Sequence, residues 1–353
     1  MIKQIYKDLF ELPGIAGHEK HVRKYMEDYM KKFPNFVIRK DHLGSIFAVK
    51  QAKDLNAPRV MIAGHMDEVG LMVTQITDLG MLKVLNIGGL NGEVFISQVL
   101  NVHTKNGVIP GVIGALPPHL KTEQKTAIED LLLDIGASSK KEAQSFGVEP
   151  GDMVTFQNPY HEAPNQKRLI AKSIDNRFGC GLALEAIEHF HGVDLPFTLI
   201  CGATVQEEVG LRGAETSVNM LDPQVFIALD ASPVNDMKKN ESLGALGEGF
   251  LLRMHDPRNV MLSHLLRYFV NTAQAHDIPF QYFTSKGGTD AAKALDLNEG
   301  VLATTIGLPA RYIHSSAAMM DIADLASAKK MLYTVISDLN PEKIKRLQEG
   351  LDG

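Results

Sequence analysis

A change of rhythm at Gly70 constrains this chain most. From there the runs LMVTQITD, MLKVLNIG, VLNVHTK and GVIPGVIG follow one another as short strands. Turns containing Gly, Asn or Asp separate them, and no long helix intervenes. A helical patch capped by Ser138 or Ser139, and then the strand in EPGDMVTF, close the stretch. Strands spaced this way build a small antiparallel unit. Residues 68–163 are therefore expected to form an inserted β-barrel-like domain.

On either side the pattern differs. Two apolar stripes, Ile2-Ile5-Leu9-Phe10 and Val22-Tyr25-Met26-Tyr29, predict helices, and VIRK, SIFAVK and RVMIAG predict strands. Beyond Leu169, helices and strands alternate through GCGLALEAIEHF, PFTLICGAT, LRGAETSVNM, QVFIALD, MLSHLLRYFVNTAQAH, VLATTIG and DLASAKKMLYTVISDL. This is the signature of an α/β domain with a mixed sheet flanked by helices. A length of 353 residues suits two domains. The simplest organisation is one discontinuous α/β domain, residues 1–67 and 164–353, interrupted by residues 68–163.

Composition then narrows the function classes. The formal net charge of -6 offers no basic surface for nucleic acid. No apolar run reaches the roughly 18 residues of a membrane span. The first residues lack the apolar core and cleavage site of a signal peptide, so a cytoplasmic location is expected. Cys180 and Cys201 each sit in an apolar run and are expected as free thiols.

Acids and histidines cluster at or just past apolar strands. RVMIAG runs into His65 and Asp67, ICGATVQ into Glu207 and Glu208, and FIALD ends at Asp230. In open α/β sheets, ligand sites collect beyond the carboxyl ends of strands. A neutral histidine can ligate zinc through one ring nitrogen while a carboxylate orients the other. Two adjacent carboxylates repel unless a cation lies between them. Each feature also has a plain structural reading. His65-x-Asp67 could be a strand-end turn, and Glu207-Glu208 a solvated turn before a helix. Asp175 could be an N-cap, Asp230 a turn former and His314 a loop histidine. Together they offer nitrogen and oxygen donors suited to zinc or cobalt.

The motifs GHMDEVG, SIDNRFGC, QEEVGLRGA, ALDAS, GGTDA and ARYIHS occur in the order seen in the tetrahedral (TET) dinuclear metallo-aminopeptidases. The chain resembles that family over nearly its whole length, VIGALPPHL and FGVEPGD of the inserted stretch included. Within it, the chain is similar to the PepA-like glutamyl aminopeptidases.

The resemblance implies an aminopeptidase that trims peptide N-termini with two divalent metal ions, Zn2+ or Co2+. Asp175 would bridge the ions, His65 and Asp230 would complete one site, and Glu208 and His314 the other. Glu207 would be the general base and acid, and Asp67 would orient His65. The Asp175–Asn176 bond is expected in the cis form. The inserted domain would serve assembly into a hollow dodecamer built from dimers. One departure stands out: the family's GGW reads GGL at residues 88–90, a segment expected to touch no ligand.

Arg253 after GFLL and Lys286 in TSKGGTDA, with Arg258 in reserve, would bind an acidic first side chain, Glu or Asp. The alternatives are an ion pair between Arg253 and Asp256 and a solvated Lys286. At the level of function they are an aminopeptidase of broad or apolar specificity, a deacylase of small amides on the same metals, or a binding protein that keeps the fold without catalysis.

Overall fold

The structure, a computed structural model, describes residues 2–115, 117, 119, 126–237 and 243–351. Leu116, Pro118 and Leu120 of VIGALPPHL lie outside that range. Two sheets organise the described chain, one mixed and 12-stranded, the other antiparallel and 6-stranded.

At the centre of the large sheet lie Thr198–Thr204, Arg59–His65, Val225–Pro233 and Leu302–Arg311, side by side and parallel. Ile46–Lys50 and Val37–Lys40 extend it antiparallel on one flank, and Ala318–Asp321 and Arg168–Ala171 on the other. Parallel strands need both faces covered, so they read as continuous apolar runs. Arg59–His65 shows the consequence. Val60 and Ile62 join the core under the helix Ile174–Phe190, while Met61 and Ala63 face a second core with Val218 and Leu221 of the helix Arg212–Leu221.

One close approach sets up the site. A Cβ on Gly64 would stand 2.5 Å from the Gly179 carbonyl carbon, and one on Gly179 would stand 2.5 Å from the Leu229 oxygen. Without those atoms the helix Ile174–Phe190 presses onto the carboxyl ends of two central strands. That contact carries Asp175 to His65 and Asp230. Asp175 does not cap the helix from outside. Ser173 holds that position, and Asp175 and Asn176 form a non-helical step within the first turn, joined by a cis peptide bond.

The second sheet runs Gly107–Val112, Val99–Thr104, Met153–Phe156, Gly70–Ile76, Leu82–Ile87 and Leu132–Leu133, all antiparallel. Backbone bonds of 2.8 and 2.9 Å between Val112 and Asp134 join its two ends and curl it towards a barrel. It encloses a core of its own, with Phe95 stacked on Phe156 at 4.9 Å. Ser139 caps the helix Lys140–Ser145 through the Glu142 N–H. Where the chain leaves the large sheet and returns, buried Glu68 accepts from Lys172 Nζ at 2.6 Å and from Gly14 N–H at 3.0 Å. No described helix is long and apolar enough to cross a membrane.

Candidate active site

Six of the predicted side chains meet at the carboxyl edge of the parallel strands. His65 ends its strand, Asp230 lies near the end of the next, and Glu207 and Glu208 follow Thr204 closely. His314 lies just past Arg311. Asp175 enters from the helix start. The turns that deliver them are backbone-constrained: Gln206 and His314 have positive φ (55° and 58°), a region where non-glycine residues persist only when their surroundings hold them.

His65 Nε2 stands 3.3 Å from Asp175 Oδ1, 3.7 Å from Asp230 Oδ1 and 3.8 Å from Glu207 Oε2. His314 Nε2 stands 3.4 Å from both Asp175 Oδ2 and Glu208 Oε1. The two oxygens of Asp175 thus face two different histidines. Each imidazole meets a backbone carbonyl with its other nitrogen: His65 Nδ1 is 3.1 Å from the Asp67 oxygen, and His314 Nδ1 is 2.6 Å from the Gly89 oxygen. A carbonyl only accepts, so Nδ1 carries the proton in both rings. In the neutral form, the free lone pair of each ring is on Nε2, among the carboxylates.

The cluster is short of positive charge. Burial lowers both imidazoles, yet the carboxylates around them prevail. His65 is held well above its ordinary value by Glu207, Asp175, Asp230 and Asp67, and His314 rises to about 11 beside Asp175 and Glu208. Glu207 is pushed well up by burial and by Asp230 and Glu208. Glu207 and Glu208 are not a solvated turn, since their side chains are 10% and 6% exposed. Buried Asp175 Oδ1 has no hydrogen-bond partner among the described residues. His65, Glu207 and Asp230 could share a cation, with donor atoms within 4.8 Å, and so could His65, Asp175 and Glu208. Oxygen and imidazole donors with an orphaned carboxylate oxygen fit a divalent metal.

The Asp67 carboxylate lies 3.5 Å from His65 Nδ1, and it accepts from the backbone N–H groups of Glu207 and Glu208 at 3.0 and 3.1 Å. The site opens into a cavity of about 600 Å³ that Arg253, Arg258 and Lys286 also line. Arg253 is buried and donates to Ser232 Oγ at 2.6 Å and to the Gly287 carbonyl at 3.1 Å. Asp256 is 3.9 Å away, so the expected alternative ion pair is at most a loose one. Lys286 and Arg258 are exposed, and no hydrogen bond or ion pair ties either side chain to another described residue.

Three neighbours were not anticipated. Glu19 accepts from Gln206 N–H at 3.1 Å, steadying the turn before Glu207, and burial pushes its carboxyl up to about 7. Asp290 of GGTDA is buried, accepts from Thr204 Oγ1 at 2.5 Å, and also rises to about 7 through burial. The third corrects an expectation. The GGL segment does touch predicted ligands: Gly89 meets His314, and a Cβ on Gly88 would come within 3.3 Å of Glu208.

Nitrogen and oxygen donors gathered at this edge of a parallel sheet form a site suited to divalent metal. A family model described as M42 glutamyl aminopeptidase matches residues 44–331, so the chain belongs to this family of metal-dependent peptidases and is an aminopeptidase. It is 41% identical to the glutamyl aminopeptidase of Lactococcus lactis subsp. cremoris, covering 97% of this chain and 98% of that one. It is 32% identical to the lysyl aminopeptidase of Pyrococcus furiosus, covering 96% and 97%. Among solved structures, the TET aminopeptidase of a marine-sediment Thaumarchaeota archaeon superposes with a TM-score of 0.92 at 32% identity, over 97% of each chain. The TET1 peptidase of Pyrococcus horikoshii, described as assembling into a tetrahedron or a large octahedral shell, gives 0.85 at 31% identity, over 95% and 99%.

Proposed function

We propose that the protein removes N-terminal residues from peptides with two divalent cations, Zn2+ or Co2+, and prefers Glu or Asp in first position. The observation that carries the dinuclear reading is Asp175, whose Oδ1 and Oδ2 face His65 and His314 separately. Asp175 would hold both ions, with His65 and Asp230 on one side and Glu208 and His314 on the other. When bound, such ions polarise a carbonyl oxygen and bring the pKa of a water to near neutrality.

Glu207 is the base in this reading. It takes the proton of the attacking water and returns it to the leaving amine nitrogen, so the amide becomes an acid and an amine. Glu207 is also close enough to His65 and Asp230 to ligate. The base role is favoured because Glu208, not Glu207, stands against His314, and because Asp175 lies nearer His65 than Glu207 does. Asp67 positions His65 and the Glu207-Glu208 turn.

The acidic preference is supported by three cationic side chains, Arg253, Arg258 and Lys286, that line the cavity. A carboxylate paired there gains about 1.5–3 kcal/mol from a charge-assisted bond. The named relatives differ, one glutamyl and one lysyl, and the first shares more of this sequence.

Residues 68–163 are proposed as the assembly domain of a dodecamer built from dimers and closed by symmetry. Their separate core and the exposed Val99, Val108 and Val112 support an outward-facing role. Light scattering checks the mass, and a monomer at working concentration would contradict it. The proposed site of action is the cytoplasm. The test of the activity is a free peptide beside its N-acetylated copy. Stepwise trimming of the free peptide alone is expected, and equal cleavage of both would overturn the reading.

A further inference from the structure

The two histidines of the site are held by different parts of the fold. His65 is oriented from within its own turn, through the Asp67 carbonyl two residues on. His314 has no such local support. Its loop is left-handed at Tyr312 and at His314 itself (φ 60° and 58°), and its side chain is 33% exposed. Its Nδ1–H reaches instead to the Gly89 carbonyl, 225 residues earlier in the chain and just past the strand Leu82–Ile87 of the curled sheet.

The turn that presents this carbonyl is itself constrained. Gly88 has φ +89°, and a Cβ there would stand 2.7 Å from Val69 Cγ1 and 3.3 Å from both Cβ and Oε2 of Glu208. Asn86 Nδ2 donates to the Gly88 carbonyl at 2.8 Å. Leu90 packs on the core of the curled sheet and anchors the far side. A metal-ligating histidine almost always donates its other ring N–H to a fixed acceptor, and that acceptor sets the tautomer and the aim of the ligand.

We propose that the Asn86–Gly88–Gly89 turn of the inserted sheet is a positioning element for His314 and Glu208. Gly89 fixes the ring through its carbonyl, Gly88 leaves room for the Glu208 carboxylate, and Asn86 holds the turn. The inference rests on reading His314 and Glu208 as metal ligands. It assigns the inserted sheet a part in one half of the site only, since the supports of His65 all come from the large sheet and its adjoining turns.

The test is titration of the full-length, metal-stripped chain with Co2+ against a competing chelator. The variants are Gly88→Ala, Asn86→Ala and His314→Ala, with light scattering to verify that each retains the parent's assembly. The parent is expected to bind two equivalents, and His314→Ala to lose one. Gly88→Ala should weaken one equivalent by about 10–100-fold and leave the other unchanged. Asn86→Ala changes an exposed side chain with no new steric contact and should act in the same direction, by less. If Gly88→Ala and Asn86→Ala both match the parent while His314→Ala loses an equivalent, the turn has no positioning role and the ligand reading stands. If His314→Ala keeps both equivalents, the ligand reading fails and the inference falls with it.

Discussion

Asp67 holds Glu207 by its backbone: the Glu207 N–H donates to Asp67 Oδ1 at 3.0 Å, and the Glu208 N–H donates to Oδ2 at 3.1 Å. One fully buried carboxylate therefore sets the two carboxylates that follow Thr204, and it also lies 3.5 Å from His65 Nδ1. Asp67→Asn keeps the shape but replaces one acceptor with a donor, facing an N–H. We expect a loss of about 10–100-fold in metal affinity or turnover. Titration of the stripped protein beside kcat would show it, and parental values in both would remove Asp67 from this role.

The proposed role of Glu207 is proton transfer rather than holding the ions. Glu207→Gln should keep the parent's metal content and lose about 10²–10⁴-fold in kcat. Elemental analysis and initial rates check both parts. Loss of a metal equivalent would turn Glu207 from base into ligand.

The contact between Gly64 and Gly179 lets the helix Ile174–Phe190 reach the strand ends. Gly179→Ala places a methyl against the Leu229 carbonyl, and overpacking of this kind costs about 1–3 kcal/mol. A melting curve should show a fall of about 1–2 °C for each kcal/mol lost. Gly192→Ala is the control, because a Cβ there meets no atom within 4 Å. Equal melting of the two variants would contradict the packing argument.

Substrate choice is read from kcat/KM for Glu-, Asp-, Leu- and Lys-p-nitroanilide. The parent should favour Glu over Leu by roughly 10-fold or more, the equivalent of about 1.5 kcal/mol. Lys286→Ala and Arg258→Ala should shrink that ratio without unfolding, both side chains being exposed. Arg253→Ala also frees Ser232 and the Gly287 carbonyl, so its effect mixes substrate binding with the shape of the loop. Leu or Lys cleaved faster than Glu would end the acidic preference.

The strand-end acids could be read from the sequence for a physical reason. Strands buried on both faces are apolar throughout, so His65, Glu207 and Asp230 stand out where the runs stop. The curled sheet was legible for the opposite reason: its strands succeed one another without crossover helices. Phe250–Asp256 and Phe280–Thr284 were not recognised as strands, since both mix apolar residues with charged or polar ones at a branch of the sheet. The helix Ile174–Phe190 begins five residues before the expected start at Gly179, because Ile174, Asp175 and Asn176 carry no apolar period. Gly89 could not be found by side-chain chemistry. It acts through a carbonyl, and only the fold brings that carbonyl to His314. Asp290 entered the sequence reading only as part of GGTDA, and its burial against Thr204 is likewise a product of packing.

In the proposed mechanism, peptide hydrolysis depends on metal held by His65, Asp175, Glu208, Asp230 and His314. The most direct measurement is hydrolysis of an aminoacyl-p-nitroanilide before chelation, after it, and after restoring Zn2+ or Co2+, with metal content determined at each stage. Full loss is expected on stripping, and recovery that rises with the second equivalent bound. Undiminished activity in a sample shown to be metal-free would contradict that mechanism.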